Sequence, residues 1–249
     1  MLNDKNMFSI RRRYAVLVFA GLCTIVASQS ATRVSAAEPD YNVLFIISDD
    51  LTSTALSCYG NKVCQTPNID ALAARGTRFT RAYCQGTYCG PSRASFLSGY
   101  YPHATGVLGY KSPRPQIGDR ATWPQHFKNN GYYTARVSKI YHMGVPGGVE
   151  AGGDGRNHNN GNGADDPASW TERFNSPGPE WKAAGDGETL EGNPDGKRPV
   201  VGGNTFVVVE ADGDDLVHSD GKTAQKAVDL LRQHKDERFF LAVGFVRPH

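Results

Sequence analysis

The sequence carries almost no excess of charge of either sign. Its 249 residues include 27 lysines and arginines and 25 acidic residues, a formal net charge of +2. Five of the basic residues and one acidic residue lie in residues 1–36, so the rest of the chain has 22 basic and 24 acidic residues, a net charge of −2. A balance this even gives no basic surface for nucleic acid or for an anionic membrane, and we expect neither as a partner.

The N-terminal apolar run is too short to anchor the chain stably in a membrane. Residues 1–36 instead have the layout of a signal peptide, with three arginines, an apolar run over 14–22 and a small-residue cleavage site at 34–36. The arginine pair before Tyr14 leaves a twin-arginine route open. We therefore expect an exported protein in a periplasmic, extracellular or lysosome-like compartment.

Residues 144–203 lack any helical or strand periodicity. They hold 15 of the 28 glycines and six prolines, with few aliphatic residues. This composition predicts a long, partly irregular surface insertion within a domain that covers residues 37–249. The acidic and histidine side chains of the insertion are expected to be solvated loop residues rather than a local metal site: Asp154, His158, Asp165 and Asp166.

Short apolar runs predict the strands. Tyr41–Ser48 is nearly continuous and suits a strand buried on both faces of a parallel sheet. Tyr132–Val137 and Phe239–Phe245 are further strand candidates, the second of them also buried. Thr77–Tyr83 and Thr205–Val209 are weaker ones.

Three segments carry helix signals. Thr66 is placed to cap a short helix that ends at Gly76. The stretch Thr122-Trp123-Pro124-Gln125 is a capping box that opens a second helix, which ends at Gly131. The apolar face formed by the alanines, valine and leucines of residues 224–231 predicts a third helix over about 220–234.

Two carboxylates, Asp49 and Asp50, follow the first strand directly. In open α/β sheets, ligands bind beyond the carboxyl ends of the strands. Two adjacent carboxylates at such a place are hard oxygen ligands that suit Ca²⁺ or Mg²⁺. A solvated turn is the commoner role of an Asp-Asp pair, so the two residues alone leave both interpretations open.

Cys89 lies where a helix is predicted to begin. Pro91 suits the first turn, because its missing N–H would have no partner there, and Gly99 is a natural end. Unpaired backbone N–H groups and the helix dipole at such a start favour oxyanions and a deprotonated thiol. Arg93, about one turn on, can reach back toward Cys89. The alternative is a buried structural cysteine before an ordinary helix.

The signature Cys-x-Pro-Ser-Arg is matched at Cys89, Pro91, Ser92 and Arg93. In this motif the sequence resembles the formylglycine-dependent sulfatases of the alkaline phosphatase superfamily. The resemblance implies that a formylglycine-generating enzyme oxidises Cys89 to an aldehyde whose hydrate is the nucleophile. It also implies a divalent cation, Ca²⁺ or Mg²⁺, bound by Asp49, Asp50 and the residue at position 89.

Two later segments extend the resemblance and are most like those of the iduronate-2-sulfatases. One runs from Trp123 to Lys139 and His142, and the other is Phe239–Phe245 followed by Val-Arg-Pro and His249. The resemblance implies sulfate-ester hydrolysis on a sulfated polysaccharide or glycosaminoglycan. The implied catalytic residues are Cys89, Arg93, Lys139, His142 and His249.

The resemblance predicts an α/β fold with a mostly parallel sheet sandwiched by helices. Sulfatases complete the metal site with a later Asp-Asn or Asp-His pair, which this sequence lacks, so we expect the N-terminal portion of such a domain, with the C-terminal part missing and no appreciable activity alone. Two alternatives remain: a related phosphoesterase, and an inactive secreted fragment. If Cys89 is the nucleophile precursor, the other cysteines expected in the exported chain, Cys58, Cys64 and Cys84, form at most one disulfide.

Overall fold

A computed structural model describes residues 41–142, 165–175, 185–189 and 207–249, with the backbone alone for 185–189 and 207–211. The predicted signal peptide, Asp154 and His158 lie outside these residues. In chain order the helices are α1 (Pro67–Arg75), α2 (Cys89–Ser98), α3 (Pro102–Thr105), α4 (Arg114–Ile117), α5 (Trp123–Asn129) and α6 (Ser219–Gln233). The strands are β1 (Val43–Ser48), β2 (Tyr133–Ser138), β3 (Glu172–Phe174), β4 (Gly185–Thr189), β5 (Val207–Ala211) and β6 (Phe239–Phe245). Among these helices, none has the length and apolarity needed to cross a membrane.

The main sheet has the strand order β1-β6-β2-β3, and all its neighbouring strands pair in parallel. The last strand in sequence, β6, therefore lies between β1 and β2. Strands β4 and β5 form a separate antiparallel pair. The predicted fold class, an α/β fold with a mostly parallel sheet and helices, is confirmed.

Side chains that alternate along β6 build a core on each face of the sheet. Phe240 and Ala242 face a cluster that includes Leu97 of α2, with Trp123 and Phe127 of α5 packed against it. Their neighbours along the strand face the opposite cluster, which includes residues of α6: Phe239, Leu241, Val243, Ala227 and Leu230. The strand is covered on both faces because its period of two residues places alternate apolar side chains against different helices.

The prediction that the first strand is buried on both faces is wrong. Val43, Phe45 and Ile47 pack against the core that contains α2 and α5. The alternate residues Leu44 and Ile46 are 45% and 54% exposed. The reason is that β1 is an edge of the described sheet, while the core built by α6 lies over β2 and β6.

The local sequence signals predicted the positions of the helices more reliably than the residues that cap them. The Thr122 hydroxyl accepts a hydrogen bond from the backbone N–H of Gln125 at 3.3 Å, as its capping box predicts. Thr66 precedes α1 but does not cap it, because its hydroxyl bonds Ser57 and the carboxylate of Asp70 instead.

Residues 77–83 do not form the strand that their sequence predicts. They are exposed and irregular, and they are held through contacts with Tyr59, whose hydroxyl donates to the carbonyl of Phe79. A strand needs a neighbouring edge to pair with, and these residues pair with no strand of the described sheets.

Gly244 lies where β6 and the end of β2 come closest. A Cβ atom at this position would lie 2.0 Å from the carbonyl oxygen of Lys139. We therefore expect Gly244→Ala to push the two strand ends apart and to lower the free energy of unfolding by about 1–3 kcal/mol. Urea unfolding of the purified protein measures this. Gly109→Ala is the matched control, because a Cβ there meets nothing within 4 Å; equal effects of the two variants would contradict the expectation.

Candidate functional site

The candidate site lies at the carboxyl ends of three adjacent strands, β1, β6 and β2. Asp49 directly follows β1, Lys139 directly follows β2, and the turn Val246–His249 follows β6. Two residues beside these ends have positive φ although they are not glycine, Asp50 at 61° and Ser138 at 62°. Such angles carry a cost and are concentrated at functional sites, where the chain must turn sharply to direct a side chain.

Asp49 is the centre of the site and is only 5% exposed. Its Oδ1 accepts a hydrogen bond from Nη2 of Arg93 at 2.7 Å, and its Oδ2 accepts one from Nζ of Lys139. Burial by itself would raise the pKa of Asp49, but the charges of Arg93 and Lys139 outweigh it and hold the pKa below its usual value. Asp49 is therefore a buried carboxylate that links two buried cations.

Cys89 is the first residue of α2, as predicted. Its Sγ lies 3.7 Å from both carboxylate oxygens of Asp49 and 3.7 Å from Nζ of Lys139. The next residue, Gly90, allows the loop after α3 to approach closely, because a Cβ there would lie 2.2 Å from the carbonyl oxygen of Gly109. The thiol is thus held between a helix N-terminus and the Asp49 carboxylate.

Arg93 reaches the site through Asp49 rather than by a direct contact with Cys89. While its Nη2 bonds Asp49, its Nη1 donates to the backbone carbonyls of Lys139 and Ile140, at 2.7 and 2.8 Å. These three hydrogen bonds fix the orientation of the guanidinium, which joins α2 to the end of β2.

The four cysteines of the described residues, including Cys89, are free thiols.

The electrostatics of this cluster favour an anion. Two buried cations, Arg93 and Lys139, surround one carboxylate, Asp49, so the cluster has a formal charge of +1. The N-terminal end of α2 adds the positive end of its dipole beside Cys89. A tetrahedral oxyanion placed at the thiol would meet positive charge from both the side chains and the helix.

His142 lies at the rim of the site under an aromatic ring. Its imidazole stacks on the ring of Tyr110, with centroids 3.8 Å apart and an angle of 15° between the planes, and its Nδ1 is buried without a hydrogen-bond partner among the described residues. Burial first, and then the charges of Lys139 and Arg93, lower the pKa of His142 to about 4. The imidazole is therefore neutral at neutral pH.

His249 lies on the other side of the site and contacts both predicted metal ligands of β1. Its Nδ1 is 2.5 Å from Oδ2 of Asp50 and 4.0 Å from Oδ2 of Asp49. One ligand-type atom from each of Asp49, Cys89 and His249 lies within 4.8 Å of the others. The group that comes together is therefore Asp49, Cys89 and His249, while Asp50 of the predicted set Asp49, Asp50 and Cys89 contacts this group through His249.

Sequence reasoning missed the residue that holds the turn of His249. Asp220, in the first turn of α6, accepts hydrogen bonds from the backbone N–H groups of Val246 and Arg247, each at 2.9 Å. Arg247 in turn donates from its side chain to the carbonyl of His249 at 2.7 Å. An acidic residue in the first turn of a helix commonly accepts hydrogen bonds from backbone N–H groups. The sequence does not reveal that the groups bound here belong to the turn after β6.

The prediction that Asp165 and Asp166 are solvated is wrong, since they are 5% and 0% exposed. Nε and Nη2 of Arg136, in the middle of β2, donate to Asp165 at 2.9 and 2.7 Å, and Arg114 forms an ion pair with Asp166. Burial would raise the pKa of Asp165, but Arg136 outweighs it and lowers the pKa. Asp165 therefore compensates an arginine buried in β2, and Asp166 pairs with the partly exposed Arg114 of α4.

Comparison with known proteins identifies relatives of the whole described region. A family model described as Sulfatase matches residues 41–249. The iduronate 2-sulfatases of Homo sapiens and Mus musculus are each 35% identical over 237 residues, which cover 94% of this chain and 39% of the relative. The chain therefore spans about two fifths of the length of these curated relatives.

Solved structures share the fold at lower identity. A protein solved with its substrate D-glucosamine-2-N,6-O-disulfate is 22% identical with a TM-score of 0.52, over 84% of this chain and 34% of that one. A phosphonate monoester hydrolase from Silicibacter pomeroyi is 19% identical with a TM-score of 0.50, over 84% of this chain and 41% of that one. At these identities the likeness concerns the fold alone.

Proposed function

The chain belongs to the sulfatase family, and from this premise we propose that it contributes the nucleophile and sulfate-binding half of an enzyme that hydrolyses sulfate esters of saccharides. The nucleophile is a formylglycine made from Cys89, and the cofactor is a divalent cation, Ca²⁺ with Mg²⁺ as the alternative. The features of residues 1–36 support export of the enzyme.

One observation carries this proposal: Cys89 begins α2 within 3.7 Å of both the Asp49 carboxylate and the Lys139 ammonium. A structural cysteine would be surrounded by apolar side chains. Here the surroundings are a carboxylate, two cations and a helix N-terminus, which suit an ionised nucleophile and a bound oxyanion.

The buried cations stabilise charge along the reaction. Once Cys89 carries the aldehyde, the hydrate supplies one hydroxyl that attacks sulfur and a second that later expels sulfate. Lys139 Nζ, which lies near the atom at position 89, is placed to neutralise a sulfate oxygen. Arg93 holds Asp49 and the carbonyls of Lys139 and Ile140, and so keeps the cations preorganised before substrate arrives.

The donor set fits a hard divalent cation. Asp49 offers carboxylate oxygens 3.7 Å from Sγ of Cys89, where formylglycine would present oxygen in place of sulfur, and Asp50 follows Asp49 in the chain with a carboxylate that contacts His249. A cation bound by these residues supplies Lewis-acid polarisation and a lower pKa for the nucleophile. Since Asp49 already contacts Arg93 and Lys139, a bound cation would have to share its oxygens with these side chains.

His249 is the better candidate for the acid that protonates the leaving alcohol. His142 is neutral at neutral pH, because burial and the nearby cations lower its pKa to about 4, so it has no proton to give beyond its ring N–H. His249 donates Nδ1–H to the carboxylate of Asp50, and this contact orients its ring beside Asp49 and position 89. We assign His142 to hydrogen bonding with the sulfate.

The substrate proposed is a 2-O-sulfated uronic acid in a glycosaminoglycan or a similar polysaccharide. The support is the 35% identity to iduronate 2-sulfatases across most of this chain. The formal charge of +1 on the cluster of Asp49, Arg93 and Lys139 agrees with an anionic ester. The proposal includes neither a nucleic-acid partner nor a stable membrane anchor.

Conversion of Cys89 is the first expected result. When the full-length protein is coexpressed with a formylglycine-generating enzyme, peptide mass spectrometry should show the thiol of Cys89 replaced by an aldehyde, because the Cys-x-Pro-Ser-Arg segment is intact. Cys84, which is five residues earlier and more exposed, is the internal control and should keep its thiol. The complete enzyme that contains the converted chain should hydrolyse a 2-O-sulfated uronate disaccharide, and its Cys89→Ala variant should not.

Three outcomes of this experiment count against the proposal. An unmodified Cys89 beside a converted control sulfatase contradicts the nucleophile assignment. Preference for an aryl sulfate over every sulfated saccharide contradicts the substrate class. Preference for a phosphate or phosphonate monoester over all sulfate esters favours a related phosphoesterase, the class represented among the structural neighbours.

A further inference from the structure

Tyr110 lies against the first turn of the helix that carries Cys89. A Cβ atom on Gly90 would lie 3.2 Å from Cδ1 of Tyr110, so the tyrosine ring is in contact with the residue next to the nucleophile. The ring belongs to the loop between α3 and α4, which sequence analysis did not connect with the site. It is therefore an aromatic side chain at the edge of the candidate active site.

The ring of Tyr110 is held on two sides. One face stacks on His142 at 3.8 Å, and its neighbour Tyr88 meets it edge-on, with centroids 5.7 Å apart and planes at 81°. The hydroxyl of Tyr88 donates to the carbonyl of Leu108, which ties this second ring to the same loop. A ring fixed in this way loses little conformational entropy when a ligand packs on it.

Despite these contacts Tyr110 is 63% exposed. His142 covers one face of the ring, and among the described residues no other ring or cation stacks on the opposite face. An aromatic face left open to solvent beside a polar, positively charged site has the character of a binding subsite, in which a few polar groups orient a ligand and an apolar wall packs against it.

We infer that the open face of Tyr110 stacks on the pyranose ring that carries, or adjoins, the sulfate ester. A pyranose presents C–H groups on one face and hydroxyls around its rim, so it suits an aromatic wall next to a cluster of charged groups. This inference rests on the proposed function and deepens it, because it assigns recognition of the sugar ring to Tyr110 and recognition of the sulfate to Lys139 and the helix start.

The test measures equilibrium binding to the full-length protein in a Cys89→Ala background, which cannot turn substrate over. The ligands are a sulfated uronate disaccharide and a small alkyl sulfate that has no ring. Adding Tyr110→Ala should weaken binding of the disaccharide about tenfold more than binding of the alkyl sulfate, the equivalent of one aromatic contact. Any smaller change for the alkyl sulfate measures the support that Tyr110 gives to His142. Adding Tyr110→Phe keeps the aromatic face and should retain disaccharide affinity.

Tyr101→Ala is the matched control. Tyr101 is 57% exposed and also stacks on a histidine, with centroids 5.6 Å apart, but this histidine is His103 and not His142 of the candidate site. It should not change binding of either ligand. Equal weakening of both ligands by Tyr110→Ala would overturn the inference, because it would mean that Tyr110 acts only by supporting His142.

The proposed function can fail without the inference, and the reverse also holds. Absence of turnover by the converted Cys89 protein, together with selective loss of disaccharide binding in Tyr110→Ala, would leave Tyr110 as a saccharide contact in a protein without sulfatase activity. Normal turnover without a selective loss of disaccharide binding would reject the role of Tyr110 and support the proposed enzyme activity.

Discussion

Asp49→Asn is expected to destabilise the protein strongly and to abolish tight binding of a divalent cation. The amide has the same shape as the carboxylate but has no charge, so Arg93 and Lys139, which are 2% and 1% exposed, lose their shared counterion. Removal of one partner from a buried ion pair costs about 3–5 kcal/mol, which lowers the melting temperature of a chain of this size by roughly 6–20 °C. Thermal unfolding followed by circular dichroism measures this change.

Two further variants separate the structural and metal-binding roles of Asp49. Asp50→Asn changes a carboxylate that is 64% exposed, so it should shift stability by less than about 0.5 kcal/mol and still weaken cation binding in calorimetry. In Asp49→Asn/Lys139→Met, one uncompensated buried charge is removed, and part of the lost stability should return. A melting temperature for Asp49→Asn within one degree of the wild type would refute the electrostatic account of the site.

Arg136→Met is expected to have the second large effect. The guanidinium is fully buried in β2 and donates to the Asp165 carboxylate, the Phe174 carbonyl and the side chain of Asn175, at distances of 2.7 to 3.0 Å. Its removal leaves Asp165 with Arg173, at 3.6 Å, as its only cationic partner among the described residues. We expect a loss of about 3–5 kcal/mol of unfolding free energy and faster hydrogen exchange in residues 165–175.

Arg232→Met is the matched control for this prediction. Arg232 is also an arginine with an aspartate partner, Asp229 at 3.8 Å, but its side chain is 75% exposed. Exposed pairs of this kind contribute little, so stability should change by less than about 0.5 kcal/mol. If the two arginine variants are equally stable, the buried network does not hold residues 165–175 in place.

Elements with strong local signals were predictable from the sequence. The strand Phe239–Phe245 has the predicted bounds, and the helix that begins at Cys89 ends at Gly99, which adopts a left-handed φ of 75°. A continuous apolar run and a helix-ending glycine act within a few residues, so they need no knowledge of distant contacts. Whether a strand lies at the edge or in the interior of a sheet depends on strand order. The sequence does not give that order, so the burial predicted for Leu44 and Ile46 was wrong.

The site was predictable as a set of residues but not as a network. Motif and strand-end arguments singled out Asp49, Cys89 and Lys139, and the structure brings them within contact distance. Tyr110 and Asp220 come from a loop and a helix start whose local sequence has no distinctive pattern, so their contacts depend on the fold of the whole chain.

The misjudged aspartates show which signal was available. The glycine-rich composition around Asp165 and Asp166 favoured a solvated loop. Arg136, however, stands in the middle of a run that predicts a strand, and a charge in a covered strand requires a buried partner. A search for that partner among nearby acidic residues would have pointed to the insertion, although spacing alone would not have identified Asp165.

The position of β6 between β1 and β2 has a consequence for the order of events during synthesis. The site around Cys89 needs the ends of β1 and β2 in place, and in the sheet these two strands are joined through β6, which is made about 150 residues after Cys89. At about 5–20 residues per second, the motif leaves the ribosome roughly 8–30 s before the sheet can close over it. A modifying enzyme that reads an extended peptide would have that interval in which to reach the thiol, and slower translation between the two segments would lengthen it.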